Sequence, residues 1–387
     1  MRKGGTGSLN TLGVGIVGCG DISATYMSLA PLFRGIEIRA CADIRSVAAK
    51  RRAGEFGLRA ESVDGLLASS DVDIVVNLTP PAAHYTVASA AISAGKHLYS
   101  EKPFVLSLAK GRALAAAAKR KGVRIGSAPD TFLGGAHQFA RHLIDTGGTG
   151  RITSGTCFVM DHGMEHWHPN PDFFFQPGGG PVLDMGPYYL TNLVQLIGPV
   201  RRVMAMSSTP SPVRTITSQP NAGRSIQVAT PTTLQSLLEF ESGATIMFGA
   251  SWDVWAHDHP RMELYGEKGT LCVPDPNFFG GAVSMTTGAD PVRRLPAWKH
   301  PLGSPNQQHG GAMLANYRGA GLADMALAIM EGRPHRCSQE LALHVVDVMT
   351  SILKSGATGR AIRLSTTCER PDALGVAEAG TLLKKRR

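Results

Sequence analysis

Between Leu12 and Ala128, short apolar runs alternate with segments of helical periodicity, and this pattern leaves few folds open. The runs are Leu12–Val17, Ile36–Asp43, Asp73–Leu78, His97–Ser100 and Arg124–Gly126. Helical periodicity lies between them, as in Ala83–Ala94 and Ser107–Lys121. Strands of this length joined by such helices predict βαβ units with right-handed crossovers and a parallel sheet. After Gly126 the pattern changes. A helix over His137–Asp145 precedes β-like segments at Ile152–Met160, Val200–Ser207, Ser225–Phe240, Ala244–Trp252, Met262–Tyr265 and Thr270–Val273. Helices are expected over Asp184–Ile197, Ala315–Glu331 and Ser338–Ser355. The fold class is therefore α/β: a doubly wound parallel sheet followed by an α+β unit with a large, mostly antiparallel, open-faced sheet. The Ser/Thr/Pro-rich stretch 207–233 reads as a long excursion within that sheet.

The first strand runs into Gly18-Cys19-Gly20-Asp21-Ile22-Ser23. Gly13, Gly15 and Gly18 also match G-x-G-x-x-G, but that register puts the turn inside the strand. With Gly18, Gly20 and Ser23 the fingerprint follows the strand and opens a helix, as dinucleotide binding requires. The first-turn N–H groups at Asp21 and Ile22 then meet the pyrophosphate. Asp43 ends the second strand, where a carboxylate bonds ribose hydroxyls and repels a 2′-phosphate. This favours NAD over NADP, while Arg45, two residues on, keeps a 2′-phosphate partner available.

Other classes fit less well. The formal charge of +9 suggests a nucleic-acid or anionic membrane surface. Yet Arg2, Lys3 and the run Lys384-Lys385-Arg386-Arg387 supply six of those charges, and no basic segment interleaved with aromatics appears in the body. Neither nucleic acid nor membrane is expected as a partner. The longest uncharged stretch, 74–95, carries Asn77, Pro80, Pro81 and His84 and does not read as a span. No apolar h-region follows the first residues, and the six scattered cysteines read as reduced thiols, so a cytoplasmic protein is expected.

Further motifs carry a resemblance. They are Thr79-Pro80-Pro81 with His84, Glu101-Lys102-Pro103, Gly178-Gly179-Gly180 through Asp184-Met185-Gly186, Glu263 through Thr270, and Gly332-Arg333-Pro334. In this order, with the glycine turn and Asp43, they resemble the glucose–fructose oxidoreductase / inositol dehydrogenase / rhizopine-catabolism (Gfo/Idh/MocA) family. The resemblance implies an NAD(P)-binding Rossmann domain at 12–130 and a substrate and oligomerisation domain at 131–370. A flexible extension at 1–11 and a basic tail at 371–387 flank them. It implies hydride transfer at a secondary hydroxyl or ketone of a sugar, glycoside or cyclitol, in a homodimer or homotetramer. Thr79, Pro80, His84, Glu101 and Lys102 join Gly18, Gly20, Asp21, Ile22, Asp43 and Arg45 as cofactor residues. An NAD-dependent glycosidase and a non-catalytic nucleotide-dependent sensor remain as alternatives.

Alcohol oxidation needs a base and a cation near the reacting oxygen. Lys102 is expected to supply the cation and relay the proton, its pKa pushed down by burial and by a nicotinamide cation. Many relatives carry a histidine four residues after the aspartate of the second motif. Here that position is Tyr188, as in some members of the family, and Thr191 stands where a longer motif has a further aspartate. Tyr188 is expected as acid/base and Asp184 as an acceptor for a substrate hydroxyl, one helical turn apart. The segment 161–172 holds three histidines and three acids. No metal is expected there. It reads as a sugar loop, with Trp167 as stacking platform and His162, Glu165 and His166 bonding hydroxyls. Arg318 reads equally as a substrate ligand or a surface ion pair.

Overall fold

The computed structural model describes residues 11–288 and 290–384. The expectations for residues 1–10 and 385–387 lie outside the described residues.

The first half runs β1 (Leu12–Val17), α1 (Asp21–Leu29), β2 (Ile36–Ala42), α2 (Ser46–Phe56), β3 (Arg59–Glu61), α3 (Val63–Ala68), β4 (Ile74–Asn77), α4 (His84–Ser93), β5 (His97–Ser100), α5 (Leu108–Lys121) and β6 (Ile125–Ser127). The strands form one parallel sheet in the order β3-β2-β1-β4-β5-β6. Helices cover both faces, so β1 and β4 are buried almost throughout and read as unbroken apolar runs. Strand β3 is absent from the sequence expectation because Arg59-Ala60-Glu61 is a short, charged edge without an apolar signal. The strand order reverses between β1 and β4, which opens a crevice at their C-terminal ends.

The second half begins with α6 (Gly135–Asp145), β7 (Ile152–Met160), α7 (Pro181–Asp184) and α8 (Gly186–Ile197). Strands β8 (Val200–Ser208), β9 (Val213–Thr215), β10 (Ser225–Gln227), β11 (Thr233–Phe240), β12 (Thr245–Ser251), β13 (Met262–Gly266), β14 (Gly269–Val273), β15 (Ser284–Thr287), β16 (Arg293–Arg294), β17 (Gln307–His309) and β18 (Ala312–Leu314) follow. Helices α9 (Ala320–Glu331) and α10 (Gln339–Thr358), strand β19 (Ile362–Arg363) and helix α11 (Val376–Leu382) complete the order. The large sheet runs β16-β15-β14-β13-β7-β12-β11-β8-β19, antiparallel except for β7 beside β12. Its inner side chains, such as Leu234, Leu238, Ile246 and Phe248, are buried against the helical layer. Its outer face leaves Met204, Met206, Leu237 and Met247 exposed.

Two expectations change here. The continuous strand expected over Ser225–Phe240 is broken into β10 and β11, with Pro231, which has no N–H for a ladder, in the gap. Strands β9 and β10 pair with each other outside the large sheet. They share a small core of Met164, Phe175, Ile216, Ile226 and Trp252. The stretch expected as a tail from residue 371 is folded as far as residue 384. Leu374, Ala379 and Leu382 are buried, and Glu378 takes Arg336 Nη2 at 2.6 Å. Leu383 bridges Phe33 of the first half, flanked by Arg34 N to Leu382 O and Lys384 N to Leu32 O, both 2.8 Å. The neighbouring basic run hides this apolar pattern in the sequence. No helix among the described residues is long and apolar enough to cross a membrane.

Candidate active site

Gly18 leaves β1 at φ +102°, and a Cβ there would lie 2.6 Å from the Leu78 carbonyl carbon. Only glycine fits both the dihedral and the space. At Gly20, the N-cap of α1, a Cβ would meet nothing within 4 Å, so the approach to the helix end is open. Asp21 and Ile22 follow in the first turn, where a helix has no internal acceptors for its N–H groups. Ser23 is buried against the turn, its N–H donating to Gly20 O at 3.2 Å. Gly13 and Gly15 lie within β1, so the fingerprint register is the one that starts at Gly18. The Asp43 carboxylate stands at the end of β2 and accepts from Cys19 N and Arg45 N, each at 2.8 Å. The Arg45 side chain is largely exposed, 3.8 Å from Asp43. This open cradle, helix terminus and strand-end carboxylate fit the pyrophosphate and ribose of a nicotinamide dinucleotide. Two cradle residues escaped the sequence reading. Arg52 of α2 is buried and donates to Gly20 O at 3.1 Å, and Ile44 is almost fully exposed beside Asp43.

The loops after β4 and β5 form the other wall. Asn77 Oδ1 accepts from Thr79 Oγ1 at 2.7 Å, and its amide donates to His84 O at 3.1 Å. Pro80 is exposed at the start of the loop. His84, expected to touch the cofactor, is instead a buried brace. Its Nδ1 lies 2.7 Å from Pro103 O and its Nε2 2.7 Å from Thr79 O. Burial lowers its pKa, against two carbonyl contacts that favour a charged ring. Glu101 is likewise a positioning group: Oε1 accepts from Tyr26 OH and Oε2 from Lys102 N, both at 2.9 Å. The Lys102–Pro103 peptide is cis.

Lys102 Nζ reaches across to Asp184 and donates to Oδ1 and to the main-chain O, both at 2.8 Å. It also stands 5.1 Å from the centroid of the Tyr188 ring. Within the protein alone, burial does not leave the lysine pKa depressed as expected. Burial pulls the pKa down, but the Asp184 carboxylate, Tyr188 and Glu101 outweigh it and hold it above its ordinary value. The expected single helix is also corrected: Asp184 closes α7, and α8 starts at Gly186. Pro187 has no N–H to continue the ladder, and its ring crowds the carbonyl four residues back. Asp184 and Tyr188 nevertheless both meet Lys102. Lys102 covers the Tyr188 ring, and the phenol lies within electrostatic reach of the Arg318 guanidinium. Arg318 also donates to Asn277 Oδ1 at 3.1 Å. Burial opposes its charge, but Tyr188, Glu101 and Asp130 together raise its pKa. Asp130 is buried and accepts from Gly319 N at 2.8 Å and Gly321 N at 3.0 Å, at the start of α9. Desolvation, aided by Glu101, pushes its pKa up to about 6.

The loop 161–172 is more structural than expected. Glu165, expected to bond a hydroxyl, is buried and paired with Arg214 Nη1 at 2.7 Å. Arg214 also pairs with Asp253, donates to Trp252 O at 2.8 Å and lies over Phe175. His162, expected to bond hydroxyls too, stacks on Trp255 with ring centroids 3.3 Å apart. His168 Nδ1 accepts from Asn170 N at 3.0 Å. His166 and Trp167 are exposed. Asp161 N donates to Ser251 O at 3.0 Å at the end of β12, and β12 packs against α7, which ends in Asp184. Among the described residues no group of three or more His, Cys, Asp or Glu is arranged to hold a metal.

Comparison with known proteins decides the ancestry. Residues 12–128 match the model of an oxidoreductase family with an NAD-binding Rossmann fold, and residues 137–272 match the GFO/IDH/MocA C-terminal domain. The chain belongs to the Gfo/Idh/MocA family. This Gfo/Idh/MocA protein is 31% identical over 209 residues to a dTDP-3,4-didehydro-2,6-dideoxy-alpha-D-glucose 3-reductase of Streptomyces violaceoruber, covering 52% of this chain and 59% of the relative. It is 27% identical over 247 residues to a D-xylose dehydrogenase of Paenarthrobacter nicotinovorans, covering 62% and 61%. The chain thus spans about three fifths of the length of these relatives. Its fold matches the crystal structure of an NAD binding oxidoreductase from Klebsiella pneumoniae with a TM-score of 0.79, at 23% identity over 92% of this chain and 100% of the other. The structure of a levoglucosan dehydrogenase with NADH and L-sorbose superposes with a TM-score of 0.77, at 21% identity over 92% and 100%.

Proposed function

We propose that this Gfo/Idh/MocA protein is a nicotinamide-dependent dehydrogenase or reductase acting on a CH–OH group of a sugar, glycoside or cyclitol. One observation carries the reading. A charged lysine, held by Asp184 against the Tyr188 ring, sits in the loop after β5, at the strand ends where the dinucleotide cradle also opens. When bound, the nicotinamide supplies or accepts the hydride. The Lys102 ammonium donates to the substrate oxygen and stabilises alkoxide character on it. With Lys102 paired to Asp184 and standing over the Tyr188 ring, the proton moves at the Tyr188 phenol, with the Arg318 charge within reach. Asp184 fixes the lysine through Oδ1 and offers Oδ2 to a neighbouring substrate hydroxyl. His166 and Trp167 line the mouth of the site. NAD is the preferred dinucleotide, because Asp43 opposes a 2′-phosphate and Ile44 offers an apolar edge for adenine. The exposed apolar face of the large sheet supports a homodimer or homotetramer. The paired Lys102 and Asp184 give a non-catalytic sensor no support.

A panel of aldoses, glycosides and cyclitols, followed by absorbance of the reduced cofactor, tests the reading. Lys102→Met and Tyr188→Phe are each expected to lower kcat by roughly 10²–10⁴-fold with dinucleotide affinity retained. Tyr188→Phe turnover within about twofold of wild type removes the phenol from the mechanism, and a wild-type protein inert to the whole panel with both cofactors overturns the function.

A further inference from the structure

Trp255 is 83% exposed, although the residues just before it are anchored. Just before it, Asp253 is fixed by Arg214 and by Thr233 Oγ1 at 2.6 Å. Val254 N donates to Asp161 O at 3.0 Å, and Asp161 N to Ser251 O at 3.0 Å. The indole is then stacked on His162 at 17°. A single exposed apolar residue needs no explanation, but a tryptophan stacked on a histidine, beside hydrogen-bonded neighbours, is restrained before any ligand arrives. That is the condition of a preorganised binding surface. The location supplies the ligand's identity. The segment is tied to Asp161 and leaves the end of β12, and β12 packs against α7, the helix that ends in Asp184, the partner of Lys102. The indole therefore stands on the segment that leaves the β12 end beside α7 and Asp184. His162 stacks on it and Asp161 holds the preceding residue, so polar groups border one flat apolar face.

We propose that Trp255 is an outer platform for a second ring of the substrate, so that the substrate class is a glycoside or oligosaccharide rather than a free monosaccharide. The oxidised ring lies against Lys102, Asp184 and Tyr188. The second ring lays its C–H face on the indole and turns its hydroxyls to Asp161 and His166. This rests on the sugar-oxidoreductase reading above, and it moves the stacking role from Trp167 to Trp255.

The test uses the full chain with NAD(H) present and three probes: cellobiose, maltose and glucose. Binding is measured by calorimetry and saturation-transfer NMR, turnover by cofactor absorbance, and mass by light scattering, for wild type, Trp255→Ala and Trp255→Phe. A disaccharide is expected to bind roughly tenfold tighter than glucose in wild type. Trp255→Ala is expected to abolish that preference with glucose affinity unchanged, and Trp255→Phe to keep most of it. Three results overturn the platform: no disaccharide preference in wild type, equal loss for glucose and disaccharide in Trp255→Ala, or a change of oligomeric mass in that variant. The last would make the indole a subunit contact. A Trp255-dependent preference without turnover of any sugar leaves the platform standing and overturns the oxidoreductase reading. Turnover with no such preference does the reverse.

Discussion

Replacing Arg214 by methionine should loosen the whole lip of the active site. The guanidinium is 6% exposed and its partners Glu165 and Asp253 are 7% and 14% exposed. Methionine keeps much of the apolar stem but strands two nearly buried carboxylates. Removing one partner of a buried ion pair costs about 3–5 kcal/mol, chiefly because the remaining charge has no compensation. The damage should be local, because this arginine joins the loop 161–168, β9 and the segment after β12. Local opening is read by amide hydrogen exchange. At about 3 kcal/mol the amides of Asp161, Trp167, His168 and Thr217, which bond within this unit, should exchange roughly a hundredfold faster. Amides in β1 and β4 should not change. The triple variant Arg214→Met/Glu165→Gln/Asp253→Asn removes the stranded charges and should restore exchange to within about tenfold of wild type. Acceleration below about threefold in the single variant, or a triple variant no better than the single, would refute the reasoning.

Asp43→Ala should raise KM for NAD(H) roughly tenfold or more by removing charged hydrogen bonds to the ribose, while NADP(H) changes little. An unaltered ratio of kcat/KM for the two cofactors would show that Asp43 does not set the preference. Asp130 titrates near 6 in the fold against an ordinary 3.8, so the folded state holds its proton more tightly. Its contribution to stability is present below pH ~4 and is lost as the pH rises through about 6. Asp130→Asn should make the unfolding free energy rise more, or fall less, than wild type between pH 4 and 6. The difference should reach up to about 3 kcal/mol by denaturant titration, and parallel pH curves would count against it.

The parallel sheet was legible because its strands are covered on both faces and show as unbroken apolar runs. Gly18, Gly20 and Asp43 were legible because the chemistry of dinucleotide binding prescribes a residue type at each position. What could not be read depends on partners distant in sequence. The sign of the Lys102 shift is decided by Asp184, 82 residues away. Glu165 looks like a sugar ligand until Arg214, 49 residues on, neutralises it. Arg318 was ambiguous for the same reason, since its partner Tyr188 lies in a different element. Trp255 escaped notice because nothing around it in the sequence marks the stack with His162. The break before α8 was readable in principle, since Pro187 stands in the sequence, but the i, i+4 spacing of Asp184 and Tyr188 drew the helix through it.

The bridge between Phe33 and Leu383 closes the polypeptide over some 350 residues. Phe33 is fully buried, and the backbone contacts of residues 32–34 are completed by residues 382–384. During synthesis, then, the Rossmann half emerges early yet waits for its last packing partner until the second half has been made. At about 5–20 residues per second that interval is roughly 20–70 seconds. Over that time the α1–β2 corner lacks the residues that cover Phe33 in the finished fold. The same closure couples the halves afterwards, since swinging them far apart would first have to peel α11 from the corner it seals.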